Sequence, residues 1–124
     1  MNNPLSKEER DYLKEKYTKY FLLVREIIND FDPVGLMAAG APEDEHDTLT
    51  GQVLRSIVND RINDIRQTLI DSYDRYGFGA DKIEEKYKDI FNKRIEETTL
   101  KINKLYQKYR TENFSGFIEV EDFT

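Results

Sequence analysis

Apolar side chains recur every three or four residues over three long stretches of the chain, with charged side chains between them. This spacing places the apolar positions on one face of a helix. In the first stretch, Ser6 and Glu9 have the spacing of a capping box, and Pro33 disfavours helical geometry at the residue before it. The pattern therefore predicts a first helix over residues 7–30. Its apolar positions are Leu13, Tyr17, Tyr20, Phe21, Val24, Ile27 and Ile28.

Two further helices are predicted, over residues 48–76 and 81–110. The second apolar stripe consists of Leu54, Val58, Ile62, Ile65, Leu69, Tyr73 and Tyr76. The third consists of Tyr87, Phe91, Ile95, Thr98, Ile102, Leu105 and Tyr109. Gly77 and Gly79 end the second helix, and so short a link makes the two helices antiparallel. Each helix should be roughly 40 to 45 Å long at 1.5 Å per residue.

The connection over residues 31–47 is longer than most links between helices. It contains a short apolar run from Val34 to Ala39, so we expect it to be ordered and packed against the helices. Asp32 is expected to accept hydrogen bonds from nearby backbone amides, because Asp before a turn commonly does so. Asp47 or Thr48 is expected to cap the helix that follows. The residues predicted to structure this loop are Asp32, Pro33, Gly35 and Pro42.

The tail, residues 111–124, changes pattern. Ile118 and Val120 alternate with Glu119 and Glu121, which is the period of a strand. A strand needs a partner, so the tail is expected to be disordered, docked on the bundle or paired with another chain. Together these elements predict one all-α domain over residues 1–124: an elongated three-helix bundle with a long antiparallel helical hairpin.

Charge and composition exclude several classes of function. The net charge is −6, so a nucleic acid or an anionic membrane is not expected as the main partner. The chain has no cysteine, which removes disulfides, thiolate metal sites and cysteine nucleophiles. No apolar run reaches the length of a signal peptide or a membrane span. A cytoplasmic location is therefore expected.

The tightest carboxylate cluster lies at residues 43–47, beside the only histidine. Carboxylates and an imidazole suit a divalent cation, but adjacent residues rarely converge on one ion. The simpler interpretation is a solvated acidic turn whose charge favours the N-terminus of the next helix, with His46 as an exposed surface residue. No set of side chains forms a credible catalytic site, so neither enzymatic activity nor a cofactor is expected.

The eight tyrosines suit either the rim of a helical bundle or an interface, because the ring packs while the hydroxyl stays at the boundary. We favour rim packing and keep a partner-binding surface as the alternative. The residues predicted to contact a partner are Glu43, Asp44, Glu45, His46, Asp47, Tyr73 and Tyr76.

Residues 24–58 contain an aromatic-Asp-Pro-apolar-Gly segment, Phe31 to Gly35, followed by the acidic turn Pro42, Asp44, Glu45 and His46. This arrangement resembles a small uncharacterised family of helical proteins from Gram-positive bacteria, a domain of unknown function. An aromatic residue is typical of that family where this chain has His46. The resemblance implies a helical fold and no particular reaction. Bacterial immunity proteins, which are small, acidic and bind a toxin, are similar in architecture.

The sequence thus favours a non-enzymatic bacterial protein that binds another protein, of immunity or regulatory type. One alternative is a metal-dependent protein or enzyme that uses the acidic loop at residues 43–47. The other is a structural homo-oligomer, because helix 7–30 is too short to cover the long hairpin. A homodimer is slightly favoured over a monomer closed by its own tail.

Overall fold

The computed structural model describes residues 6–75 and 83–122, with side chains described except at position 34 and from residue 114 onward. All regular structure in these ranges is helical, which confirms the predicted all-α class. The five α-helices are α1 (Lys7–Lys16), α2 (Thr18–Phe31), α3 (Asp47–Val58), α4 (Ile65–Arg75) and α5 (Lys88–Asp122). Short 3-10 helices cover Pro33–Gly35, Ile62–Asp64 and Glu85–Tyr87.

The predicted helix 7–30 is interrupted at Tyr17, whose φ of −119° and ψ of 42° are not helical. Ser6 caps α1 as expected, accepting a hydrogen bond of 3.1 Å from the Glu9 amide. At the other end, the Thr18 hydroxyl lies 2.8 Å from the Lys14 carbonyl oxygen and 3.0 Å from that of Glu15. Threonine here replaces backbone hydrogen bonds of a continuous helix, which explains the break.

The predicted helix 48–76 is also wrong as a single element. Asp60 adopts a left-handed conformation with φ of 61°, and the Arg61 amide donates to the Ser56 carbonyl oxygen at 2.7 Å. This pattern ends α3, and a 3-10 turn then leads into α4. Asn and Asp tolerate the left-handed region better than most residues, so the Asn59–Asp60 pair is a sufficient local cause.

The last helix begins later and ends later than predicted. Its backbone is helical from Lys88 to Asp122, so the strand-like interpretation of the tail is wrong for residues 111–122. The same segment also has a helical spacing, because Phe117 and Ile118 follow Phe114 by three and four residues. A helical period is therefore present beside the strand-like alternation. In the part of the chain that the structure describes, no helix is both long enough and apolar enough to cross a membrane.

The core lies among α2, α3, α4 and α5. The pair Arg66–Glu96 and the ring contact of Tyr73 with Phe91 show that α4 and α5 run antiparallel. The turn at Gly77 and Gly79 lies outside the described residues. The most deeply buried apolar side chains are Phe21, Val24, Ile28, Leu49, Val53, Leu54, Ile57, Ile65, Leu69, Ile95 and Ile102. From α1 only Leu13 is buried, so α1 packs at the edge of this core.

Candidate functional site

The loop between α2 and α3 is organised by the carboxylate of Asp32. Its oxygens accept hydrogen bonds from the amides of Met37 at 2.8 Å and Ala38 at 3.0 Å, which confirms the predicted role. Pro33 is buried below this turn. Burial alone would raise the pKa of Asp32, but bonds from Met37, His46 and Ala38 outweigh it and hold the pKa below its usual value.

His46 is enclosed by the protein, and the expectation of an exposed surface histidine is wrong. Its residue exposure is 1%, and Nε2 lies 2.9 Å from the Asp32 carboxylate. A buried imidazole needs a polar partner, and Asp32 supplies it from the opposite end of the loop. Neither Asp47 nor Thr48 caps α3; His46 is its N-cap residue. Enclosed in this way, the imidazole is not placed to act as a general base on a bound substrate.

Asp47 also points inward, onto Arg25 of α2. The guanidinium Nε and Nη2 lie 3.0 and 2.6 Å from the two carboxylate oxygens of Asp47, a bidentate pair with about a tenth of each side chain exposed. Asn29 adds a hydrogen bond of 2.9 Å to the Glu43 carbonyl oxygen. The hydrogen bond that Arg25 donates to Asp47 raises the pKa of Arg25 despite its burial. These contacts fix the loop against α2.

The remaining members of the predicted acidic site are exposed. Glu43, Asp44 and Glu45 lie on the turn before α3, and only Glu43 has a described ion pair among them, 3.6 Å from Arg25. Within residues 6–75 and 83–122, no group of three histidine or carboxylate side chains is arranged to hold a metal ion. The turn therefore presents a negatively charged surface on a well-anchored loop.

Tyr73 is half-buried between two aromatic rings. Its centroid lies 6.1 Å from that of Phe31 and 4.9 Å from that of Phe91, both in edge-on geometry. This is packing between α2, α4 and α5, so little of the ring is available to a partner. Tyr76, the other tyrosine predicted to contact a partner, lies outside the described residues.

Five other tyrosines gather at the opposite end of the bundle. Lys19 at the start of α2 pairs with Glu112, and Asp30 near its end pairs with Lys101, so the loop lies at one end and the start of α2 at the other. The Tyr109 ring contacts those of Tyr17 and Tyr20, with centroids 6.3 and 5.2 Å apart. We call the group the tyrosine end. Its members are Tyr12, Tyr17, Tyr20, Tyr106 and Tyr109.

One carboxylate joins α2 to α5 at the tyrosine end. The Tyr20 hydroxyl donates to Glu112, and the ammonium groups of Lys19 and Lys108 lie 2.9 and 3.3 Å from the same carboxylate. Burial, followed by the bond to Glu112, raises the pKa of Tyr20 to about 12. The hydrogen bond from Tyr20, followed by that from Lys19, lowers the pKa of Glu112 to about 2. Both groups thus keep their ordinary charge states at neutral pH.

A crevice of about 340 Å³ opens beside these tyrosines, between α1 and α3. Tyr12, Lys16 and Tyr17 form one wall, and Arg55 and Val58 contribute to the other. Tyr12 is 58% exposed, and the Lys16 ammonium lies 5.5 Å from the ring centroids of both Tyr12 and Tyr17. This is a concave surface with aromatic rings and cations around its mouth.

A second depression of about 220 Å³ shares Val58 with the crevice and continues to α5. Tyr106, Tyr109 and Arg110 line it together with Asp60. Arg110 lies 3.1 Å from the Asp60 carboxylate and 2.9 Å from the Tyr106 hydroxyl, which also donates to Asp60. Tyr12 and Tyr17 are far from Tyr106 and Tyr109 in the sequence, but the ring contact of Tyr17 with Tyr109 brings the two groups to the same end of the molecule.

No protein-family model, curated protein or solved structure matches this chain. The resemblance of residues 24–58 to a Gram-positive family therefore stays a prediction. Function has to be inferred from the chain's own residues.

Proposed function

We propose that this chain is a non-enzymatic protein-binding module, and that the partner docks at the tyrosine end. The observation that carries the proposal is the crevice between α1 and α3, a concave surface with tyrosine and arginine side chains in its walls. We further propose a bacterial, cytoplasmic protein of immunity or regulatory type, as the sequence indicates.

The composition of the crevice is that of a binding surface. Tyr and Arg are enriched among the side chains that contribute most to protein–protein affinity, and flat rings give contact area at little entropic cost. Tyr12 has 58% of its surface exposed, so much of the side chain is open to contact. Its hydroxyl accepts a hydrogen bond of 3.1 Å from Lys16, which holds the ring beside the crevice.

Two observations support a binding function rather than catalysis. The single histidine is enclosed at the other end of the molecule. The carboxylates near the crevice are held in ion pairs, with Glu9 at 3.5 Å from Arg55 and Asp60 at 3.1 Å from Arg110. Both carboxylates are thus engaged by arginine side chains of the protein itself.

The acidic turn is a second surface for the same function. The inward contacts of Asp32, His46 and Asp47 leave Glu43, Asp44 and Glu45 facing solvent on a fixed backbone. A rigid negative surface favours association with a basic partner by electrostatic steering. We therefore keep Glu43, Asp44 and Glu45 as proposed contacts with a partner. His46 and Asp47 are buried and are removed from that set.

Site-specific photo-crosslinking tests the tyrosine end directly. A photoreactive amino acid replaces Tyr12 in one variant and Tyr87 in another; Tyr87 is 51% exposed but lies in the 3-10 turn just before α5. We expect position 12 to capture a defined protein, and excess unlabelled protein to abolish that capture. The Tyr12→Ser competitor should be at least about tenfold weaker, since loss of a central aromatic contact commonly costs more than 1 kcal/mol. The Tyr87→Ser competitor should be as effective as the parent chain.

Capture of the same partner at positions 12 and 87, or equal competition by both serine variants, would contradict this assignment. The alternative of a metal-dependent protein predicts a different result. Calorimetric titration with Mg²⁺, Ca²⁺, Mn²⁺ or Zn²⁺ would then show stoichiometric binding that Asp44→Asn weakens.

A further inference from the structure

Helix α1 buries fewer of its residues than α2, α3 or α4. Of its ten residues only Leu13 is buried, whereas α2 buries five and α3 nine. A helix of this length is marginal in water without tertiary contacts. The stability of α1 therefore depends on what it contacts in α2 and α3.

The junction between α1 and α2 is built as a separate stop rather than as a bend in one helix. Tyr17 leaves helical geometry, and the Thr18 hydroxyl takes the place of backbone donors at the carbonyls of Lys14 and Glu15. Because Thr18 is the first residue of α2, these two contacts join α1 to α2 and are lost when α1 rotates away. A rotation about Tyr17 moves α1 without breaking the hydrogen bonds inside α2.

The contacts of α1 with α3 are long and partly exposed. Arg10 lies 3.4 Å from the Thr48 hydroxyl, and Glu9 lies 3.5 Å from Arg55 with half of the Glu9 side chain exposed. The crevice of about 340 Å³ lies along this same contact. The crevice is open to solvent, so along it the side chains of α1 do not pack tightly against α3.

We infer that α1 is a strap that opens by rotation at Tyr17 while α2 to α5 stay folded. Closed, it forms one wall of the crevice and lays the stem of Lys14 near Phe21, with the ammonium 5.7 Å from the ring centroid. Open, it uncovers the apolar surface below Leu13 and widens the crevice. The opening of α1 regulates access to the crevice, and in this respect it rests on the proposed function. The motion itself is a property of the free protein and is tested without a partner.

Thiol labelling under native conditions measures the opening, and the chain is suited to it because it has no cysteine. Leu13→Cys places a thiol beneath α1, and Leu54→Cys places one in α3 at a position with no exposure. Labelling rates with an excess of an aromatic disulfide reagent are measured at increasing urea, and the global stability of each variant is measured separately. The labelling rate of each thiol is then compared with the rate expected if that thiol reacted only in globally unfolded molecules of the same variant.

We expect the thiol at position 13 to react at least about tenfold faster than global unfolding allows, with a shallow dependence on urea. The thiol at position 54 should follow global unfolding in both rate and urea dependence. If position 13 also follows global unfolding, α1 is not a strap. If either variant does not fold, amide hydrogen exchange of the unsubstituted chain decides: protection of residues 11–16 equal to that of residues 24–28 overturns the inference, and much weaker protection supports it. Failure to find a partner at Tyr12 would not affect either result.

Discussion

Asp32 joins the two ends of the loop between α2 and α3, in addition to the contacts of Arg25 and Asn29 with that loop. Its φ of 48° lies in the left-handed region, and its carboxylate receives donors from both arms of the loop. Removing the carboxylate leaves the His46 imidazole buried without this partner. A single side chain therefore couples the end of α2 to the start of α3.

We expect Asp32→Ala to lower the free energy of unfolding by about 2 to 4 kcal/mol, because several hydrogen bonds to a charged group are lost. The matched control is Asp30→Ala, two residues earlier, where the carboxylate is 72% exposed and pairs with Lys101. That change should cost less than about 1 kcal/mol, as exposed ion pairs commonly do. Urea unfolding of the three proteins gives the comparison, and equal losses would argue against the role of Asp32.

The same carboxylate predicts a dependence of stability on pH. The pKa of Asp32 in the folded protein lies below its usual value of 3.8, and that of Glu112 falls from 4.5 to about 2. Groups of this kind stabilise the fold fully above their unfolded pKa, and the contribution is lost as the pH falls through the folded pKa. Stability should therefore decline as the pH is lowered from about 5 toward 2.

Unfolding by urea at a series of pH values tests this sign. The decline should be smaller in Asp32→Asn, which has no titrating carboxyl at that position, and smaller again when Glu112→Gln is added. An unchanged pH profile in the double variant would show that other carboxylates control acid stability.

At the scale of helices, burial separates positions that look alike in sequence. Ile102 of α5 has no exposed surface, whereas Leu100 on the same helix is 61% exposed. We expect Ile102→Ala to cost about 2 to 5 kcal/mol and Leu100→Ala less than about 1 kcal/mol, because only the first change leaves a cavity. Chemical denaturation measures both, and comparable losses would mean that α5 presents a different face to the core.

The apolar period was sufficient to predict helices, but it was insensitive to the breaks between them. Leu13, Tyr17 and Tyr20 keep helical spacing across the stop at Tyr17, so the pattern predicts one helix where the structure has two. Asn59 and Asp60 gave a local signal for the second break, since both residue types favour turns. The Tyr106 hydroxyl of α5 donates a hydrogen bond to Asp60 at this break. No local pattern in the sequence predicts that tertiary contact.

The polar side chains of the loop show the same limit. Local turn chemistry was enough to predict the amide contacts of Asp32. The burial of His46 depends on Asp32, fourteen residues earlier, and that of Asp47 depends on Arg25 of α2. Such pairings are tertiary, and in one sequence an inward histidine looks the same as an exposed one.

At the scale of the whole molecule, the proposed homodimer needs an apolar face that one chain leaves open. Tyr87, in the 3-10 turn before α5, and Ile90, in the first turn of α5, are each more than half exposed and lie three residues apart in the sequence. If this face joins two copies, the mass by sedimentation equilibrium should rise with concentration from 14.7 kDa toward twice that value. Ile90→Lys should abolish the rise, while Leu100→Lys, on a different face of α5, should not. A constant mass of 14.7 kDa at micromolar concentration would exclude the dimer.

The Asp32–His46 bond has a practical consequence for protein engineering. It closes residues 33–45 into a ring whose two ends are held by the folded body, while the tip around Ala38 to Gly40 is exposed. At Gly40, where φ is +96°, nothing lies within 4 Å of the position of a β-carbon. Because the entropy of closing a loop grows only slowly with its length, a flexible peptide inserted after Gly40 should cost less than about 1 kcal/mol. The tip is therefore a place to graft an epitope or a fluorescent tag; its distance from the tyrosine end would leave the crevice open, whereas the acidic turn from Glu43 to Glu45 lies close to the insertion.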